Sequence, residues 1–149
     1  MTVSIQRLQN FPFDCFKDMI AESLDMGFMA VQRLADDWVS GANRFDRHGE
    51  ALFIAKGGGS IIGVCGLNID PYATFEGTGR VRHLYVISEY RRRGIGRALV
   101  ERVVDEARLS FNRLHLRTHS HQADKFYRAI GFSSCDGDEY CTHILELHR

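Results

Sequence analysis

A chain of 149 residues with 44% apolar and 26% charged side chains has the makeup of one globular domain, long enough to bury a core without disulfide or metal staples. Its formal net charge is zero, which argues against a dedicated nucleic-acid binder, and no apolar run approaches the about 18 residues of a membrane helix. The segment Met1 to Arg7 lacks a signal-peptide pattern, so the expected compartment is the cytoplasm. Cys15, Cys65, Cys135 and Cys141 form no Cys-x-x-Cys pair and read as reduced, mostly buried thiols.

Thr2 to Leu8 alternates in a way compatible with a first strand. After Pro12, the spacing of Phe16, Met19, Ile20 and Leu24 predicts a helix. Val31, Leu34, Ala35 and Trp38 predict a second one within Phe28 to Val39. Gly41 to Gly49 reads as a polar turn region. Glu50 to Lys56 and Ser60 to Ile69 are apolar, β-branched runs split by three glycines, a hairpin pattern. Asp70-Pro71-Tyr72 ends the second run, Thr74 to Gly79 reads as a loop, and Arg80 to Ile87 as a long strand. A helix from Gly94 to about Leu109 follows, with Ile95, Ala98, Leu99, Val103 and Ala107 on one face. Arg113 to Thr118 is a further strand and Gln122 to Ile130 a short helix capped by Gly131. Phe132 to Cys135 and Tyr140 to Leu147 complete the chain as strands. The order β-α-α-β-β-β-α-β-α-β-β predicts an α/β (α+β) fold, a mixed, mostly antiparallel sheet flanked by helices, in a single domain spanning residues 1–149.

The most informative stretch is Arg91-Arg92-Arg93-Gly94-Ile95-Gly96-Arg97, where the long strand turns into the amphipathic helix. Free amides at a helix start, a dipole that favours anions, and glycines that let a ligand approach the main chain together make a phosphate site. Arginine adds forked donors. Charge segregation agrees: Arg80 to Arg117 holds ten arginines against four acids, whereas Asp14 to Asp37 holds six acids against Lys17 and Arg33. A P-loop is absent, because Lys56-Gly57-Gly58-Gly59-Ser60 has its lysine at the wrong end. The dinucleotide fingerprint fails as well, since Leu99 stands where a third glycine is needed.

The segment Leu84 to Leu99, with Arg91-x-x-Gly94-x-Gly96 at its centre, resembles the hallmark of the GNAT superfamily of N-acetyltransferases. A second stretch, Ala123-Asp124-Lys125-Phe126-Tyr127-Arg128-Ala129-Ile130-Gly131-Phe132, is similar to the family's Ala-x-x-Phe-Tyr-x-x-x-Gly-Phe. The resemblance covers roughly Glu50 to the C-terminus. It implies a GNAT-like fold and acetyl transfer from acetyl-CoA (coenzyme A) to a primary amine of a small molecule or peptide, by direct attack in a ternary complex. It further implies that Leu84, Tyr85 and Val86 run along the pantetheine arm, with the Leu84 amide on the thioester oxygen. Arg91, Arg92, Arg93, Gly94, Ile95, Gly96 and Arg97 would hold the pyrophosphate.

On spacing alone Phe126 and Tyr127 fit a pair of core aromatics equally well; the resemblance makes Tyr127 the expected general acid, close to the sulfur of the cofactor. Many relatives carry a glutamate near the start of the long strand, but this chain has Arg80, Arg82 and His83 there. The base candidates are therefore His83 first, then Glu76, Asp70 and His115, with a water chain as a substitute. Ser120 replaces an asparagine common in relatives and is expected to cap the short helix or touch the cofactor. His115, His119 and His121 lack a completing ligand, so no metal is expected. A non-catalytic acyl-CoA sensor is the alternative reading and a nucleic-acid module a third. The amine acceptor carries no motif, neither nucleic acid nor membrane is an expected partner, and a homodimer is possible by analogy with relatives.

Overall fold

The computed structural model describes residues 2–147. In chain order the elements are β1 (Val3–Leu8), α1 (Phe13–Asp25), α2 (Ala30–Ser40), β2 (Ala51–Gly57), β3 (Ser60–Ile69), β4 (Thr78–Val86), a 3-10 turn at Ser88–Tyr90, α3 (Ile95–Ala107), β5 (Arg113–Leu116), α4 (His121–Ile130), β6 (Ser133–Ser134) and β7 (His143–Glu146). The seven strands form one sheet in the order β1-β2-β3-β4-β5-β7-β6. Every pairing is antiparallel except that of β4 with β5. This is the mixed α/β architecture that the chain order predicts.

Helices cover both faces, which explains why β2 and β3 read as nearly continuous apolar runs. On one face α3 sets Ile95, Leu99, Val100 and Val103 against Phe53, Ile62, Cys65 and Leu67. On the other, α1 and α2 bring Phe16, Met19, Val31 and Leu34 against Leu52, Ile54, Val64 and Tyr85.

β4 begins two residues before the expected Arg80. Thr78 and Gly79 pair with Arg113 and Leu114 instead of looping. Gly79 permits this approach, since a Cβ there would lie 3.0 Å from both Leu114 and Phe111. The last two strands are shorter than expected. Asp138 accepts the Tyr140 N–H at 2.8 Å in a side-chain turn, so residues 136–142 form a connection and not a strand.

Two irregularities in β4 shape the molecule. Its parallel pairing with β5 stops at Arg80↔His115, although β4 runs on to Val86, so the two strands part beyond that pair. On the β3 side the register passes from Val64↔Tyr85 to Gly66↔Arg82, so His83 and Leu84 together face Cys65. This is a β-bulge, with His83 at φ 62°.

Leu99 is fully buried at the centre of the α3 face. Leu99→Ala is expected to cost about 3 to 4 kcal/mol, read as a lower urea midpoint with an unchanged m-value.

Candidate active site

The arginine turn is built by backbone conformation. Ile87 is extended, Ser88–Tyr90 form the 3-10 turn, and Arg92 and Gly94 both have positive φ, 64° and 78°. Gly94 is the N-cap of α3 and offers no side chain to its amides; the first turn holds no acid either. A Cβ on Gly94 would meet nothing within 4 Å, so glycine is required there by conformation and the space in front of the helix is open. A Cβ on Gly96 would make only ordinary contacts with Phe126 and Val86. The amides of Ile95, Gly96 and Arg97 therefore have no side-chain cap, the arrangement that receives an anion.

The arginines of this turn are not equivalent. Arg91 donates Nε to Val86 O at 2.9 Å and lies over the Tyr85 ring, so it fastens the loop to its own strand. Arg93 rests on Tyr90, and Arg97 pairs with Glu101 at 2.9 Å. Arg92 has no side-chain partner among the described residues, and all four are exposed. A pocket of about 300 Å³ borders the turn, lined by Val3, Ile5, Arg93, Gly94, Ile95 and Ala98.

Glu22 on α1, which the sequence did not single out, anchors this turn from the opposite face. Its carboxylate accepts the Tyr85 hydroxyl, the Ser88 amide at 3.1 Å and the Ser88 hydroxyl at 2.8 Å. Partial burial pulls its pKa up, but the Tyr85 and Ser88 hydrogen bonds, with Arg91 nearby, outweigh it and hold the carboxyl below the ordinary value. Tyr85 is pushed up to about 12, by burial first and then by Glu22.

Leu84 and Val86 point toward α3, while His83 and Tyr85 face α1 and α2. Beyond Arg80, among the described residues, no strand pairs with β4 on its β5 side. Tyr127 extends from α4 into the α3-side core, between Phe126, Phe132 and His143. Burial, followed by the nearby Cys65, raises its pKa far above the usual tyrosine value. Cys65, which stands opposite the bulge at His83 and Leu84, belongs to the same core cluster as Tyr127. α4 is held in place by Ser120, whose Oγ caps the Ala123 N–H at 3.2 Å, and by Asp124, which meets His143 Nε2 at 2.7 Å.

The base candidates fall in different places. His83 is buried, its Nδ1 is 2.9 Å from Ala30 O, and its Nε2 has no partner. Burial, and then Arg82, lower its pKa to about 4. Glu76 is exposed on the loop before β4, and its main-chain oxygen accepts from Arg113 at 3.5 Å. Asp70 and His115 meet at the fork of β4 and β5, with Oδ2 to Nδ1 at 3.2 Å. Burial drives the Cys65 thiol up to about 12, and Cys141 to about 12 for the same main reason, so neither is a ready nucleophile. Among the described residues, no three His, Cys, Asp or Glu side chains gather as metal ligands.

Two outcomes are expected. Glu22→Ala strips the acceptor from Ser88 and Tyr85 and should cost about 2 kcal/mol in denaturant unfolding. The second concerns acid: the unfolded chain protonates His83 near 6.5, the folded chain only near 4. The unfolded state therefore binds more protons in that window. The His83 contribution is complete above pH 6.5 and falls by about 3 kcal/mol on acidification to pH 4. His83→Asn, which tolerates positive φ and does not titrate, should flatten the pH dependence of the thermal midpoint in that window.

Comparison with known proteins agrees with this geometry. Residues 13–132 match the model of the acetyltransferase (GNAT) family. A solved structure from Exiguobacterium sp. 255-15, assigned as an acetyltransferase, is 35% identical with a TM-score of 0.86, covering 98% of this chain and 94% of that one. An N-acetyltransferase from Staphylococcus aureus Mu50 (15% identity, TM-score 0.75, 99% and 100% covered) shares the fold. So does a Salmonella typhimurium protein solved with acetyl-CoA (17%, TM-score 0.68, 99% and 95% covered). With a family match over most of its length and a relative of this identity, the chain belongs to the acetyltransferase (GNAT) family.

Proposed function

We propose that the protein transfers the acetyl group of acetyl-CoA to a primary amine by direct attack in a ternary complex. The observation that carries this reading is the pair of features on β4: an uncapped α3 start behind Gly94, and a strand edge left unpaired beyond Arg80. The residues fit the co-substrate. The amides of Ile95, Gly96 and Arg97, with the free side chain of Arg92, suit a pyrophosphate, and the edge of Leu84 to Val86 suits the amide-bearing pantetheine arm. Arg91, Arg93 and Ser120 contribute by shaping the turn and capping α4.

Acetyl-CoA supplies an activated acyl carbon and a thiolate leaving group. The Leu84 N–H, at the bulge, is assigned to the thioester oxygen, where it donates as charge builds, a contribution of about 3 kcal/mol for such a donor. Tyr127 donates its hydroxyl to the departing sulfur. Burial disfavours a lasting tyrosinate, so the proton Tyr127 gives to the sulfur is made good by the one the attacking amine loses, and the products are the amide and the free thiol of coenzyme A. Glu76 stands in solvent and His83 is enclosed with a depressed pKa, which leaves both poorly suited to accept the amine's proton. We assign that role to His115: its Nε2 is as enclosed as that of His83, but its Nδ1 lies 3.2 Å from the Asp70 carboxylate, which favours the protonated ring.

Calorimetry with acetyl-CoA, followed by thiol release across an amine panel, tests the proposal. Binding and turnover are expected, with Tyr127→Phe retaining affinity and losing about 100-fold in kcat. Absence of acetyl-CoA binding overturns the reading, and binding without turnover of any amine reduces the chain to an acyl-CoA sensor.

A further inference from the structure

The fork of β4 and β5 holds a buried charge cluster of which the proposed reaction uses only a part. Arg80 is the last β4 residue paired with β5, directly opposite His115. Asp70 approaches from the end of β3. The side chains of Arg80, Asp70 and His115 are 9%, 1% and 14% exposed. Val81 and Leu114 point to the α3 core, so Arg80 and His115 face the other side of the sheet. There the loop after Asp70 forms the cover over Arg80, with Tyr72 across the guanidinium at 5.0 Å.

Asp70 has a neighbour at each oxygen: Oδ1 accepts the Tyr72 N–H at 3.0 Å, and Oδ2 lies within ion-pair distance of His115 Nδ1, at 3.2 Å. Arg80 is less well met. Its Nη1 lies 3.6 Å from Asp70 Oδ1, an ion pair without hydrogen-bond geometry, and the guanidinium makes no hydrogen bond among the described residues. A guanidinium carries its N–H donors in a planar fork, and at Arg80 the Nη1 end is buried without a hydrogen-bond partner, which is costly. What the cluster lacks is an acceptor, and the acceptor that matches this fork is an oxyanion. Asp70 alongside cancels one positive charge and repels a dianion, so a carboxylate suits the place better than a phosphate.

The roof over this group has the form of a removable cover. Tyr72 is half exposed and stacks on Tyr140 with ring centroids 4.1 Å apart and planes within 4°. The two rings come from the β3–β4 and β6–β7 connections. Neither belongs to either core cluster.

We propose that the acetyl acceptor is an amine that also carries a carboxylate, and that Arg80 binds this carboxylate beneath the Tyr72 and Tyr140 rings while the amine faces His115. This rests on the acetyltransferase reading above. The carboxylate fixes the acceptor at the fork, and the positive guanidinium beside it favours the neutral form of the amine.

The test uses matched acceptors with the full chain: amino acids and ω-amino carboxylates, each against its own carboxamide, in a thiol-release assay with saturating acetyl-CoA. The carboxylate member is expected to exceed its amide by about 30-fold in kcat/KM, the scale of a charge-assisted contact. In Arg80→Lys, which keeps the charge beside Asp70 and loses the fork, the ratio should fall below about fivefold. In Arg80→Gln it should approach unity, and the ratio is read within each pair, so a general loss of activity does not mask it. The same pairs are followed by thermal shift in the presence of coenzyme A, where only the carboxylate members should stabilise the wild type. Equal use and equal binding of both members, or a preference that survives in both variants, overturns the proposal. Acetyl-CoA binding measured separately keeps the two readings apart: if it is lost, the acetyltransferase reading fails; if it persists without carboxylate preference, only the Arg80 assignment fails.

Discussion

The parting of β4 from β5 is the constraint on which the rest of this structure depends. Three residue pairs hold the two strands in parallel, and then each follows a different partner, β4 remaining with β3 and β5 with β7. A strand interior ordinarily satisfies its amides on both sides, so an unpaired edge inside a sheet is costly unless solvent or a ligand completes it. The bulge at His83 and Leu84 adds twist at the same place, and His83 ties it to Ala30 at the start of α2. The opening between the strands is therefore set by the sheet's own pairing.

The same strand contributes to both faces of the sheet. Leu84 and Val86 face the α3 core with Tyr127, while Arg80, His83 and Tyr85 face the α1 and α2 side. Glu22 joins the two, since one carboxylate on α1 holds Tyr85 in β4 and Ser88 in the arginine turn. A movement of α1 would be felt at the amides in front of α3. That link joins the α1 face of the sheet to the arginine turn through side chains and not through sequence neighbours.

Much of the fold was legible because its signals are local. The order of strands and helices follows from periodicity, and the arginine turn is recognisable from a strand, two glycines and a helix in succession. The bulge also left a trace: the core-facing positions of β4 change parity between Val81 and Leu84, a shift that period-two alternation does not allow. The remainder depends on residues distant in sequence. Glu22 meets Ser88 66 positions away, and its place among solvated acids on α1 carries no mark of that role. Asp70 and His115 are joined only once β4 and β5 are set in register. His83, favoured as a base for its ordinary pKa, is buried by a bulge that places it under α2.

Charge shows the same division between what is local and what is assembled. The arginines from Arg80 to Arg117 read as one basic centre, yet the fold disperses them. Arg91, Arg92, Arg93 and Arg97 surround the start of α3, Arg102 lies over Phe53 beside Glu106, and Arg113 meets Glu146 on β7. Arg80 alone among these is nine-tenths buried while lacking a hydrogen bond among the described residues. Exposed guanidinium groups keep their hydration and tolerate many partners, so those at the turn describe a general attraction for anions. A buried one has given up its water and tolerates few. Selectivity for the acceptor is thus to be sought at Arg80, where a single unmet demand is enclosed, and not among the more numerous arginines at the surface.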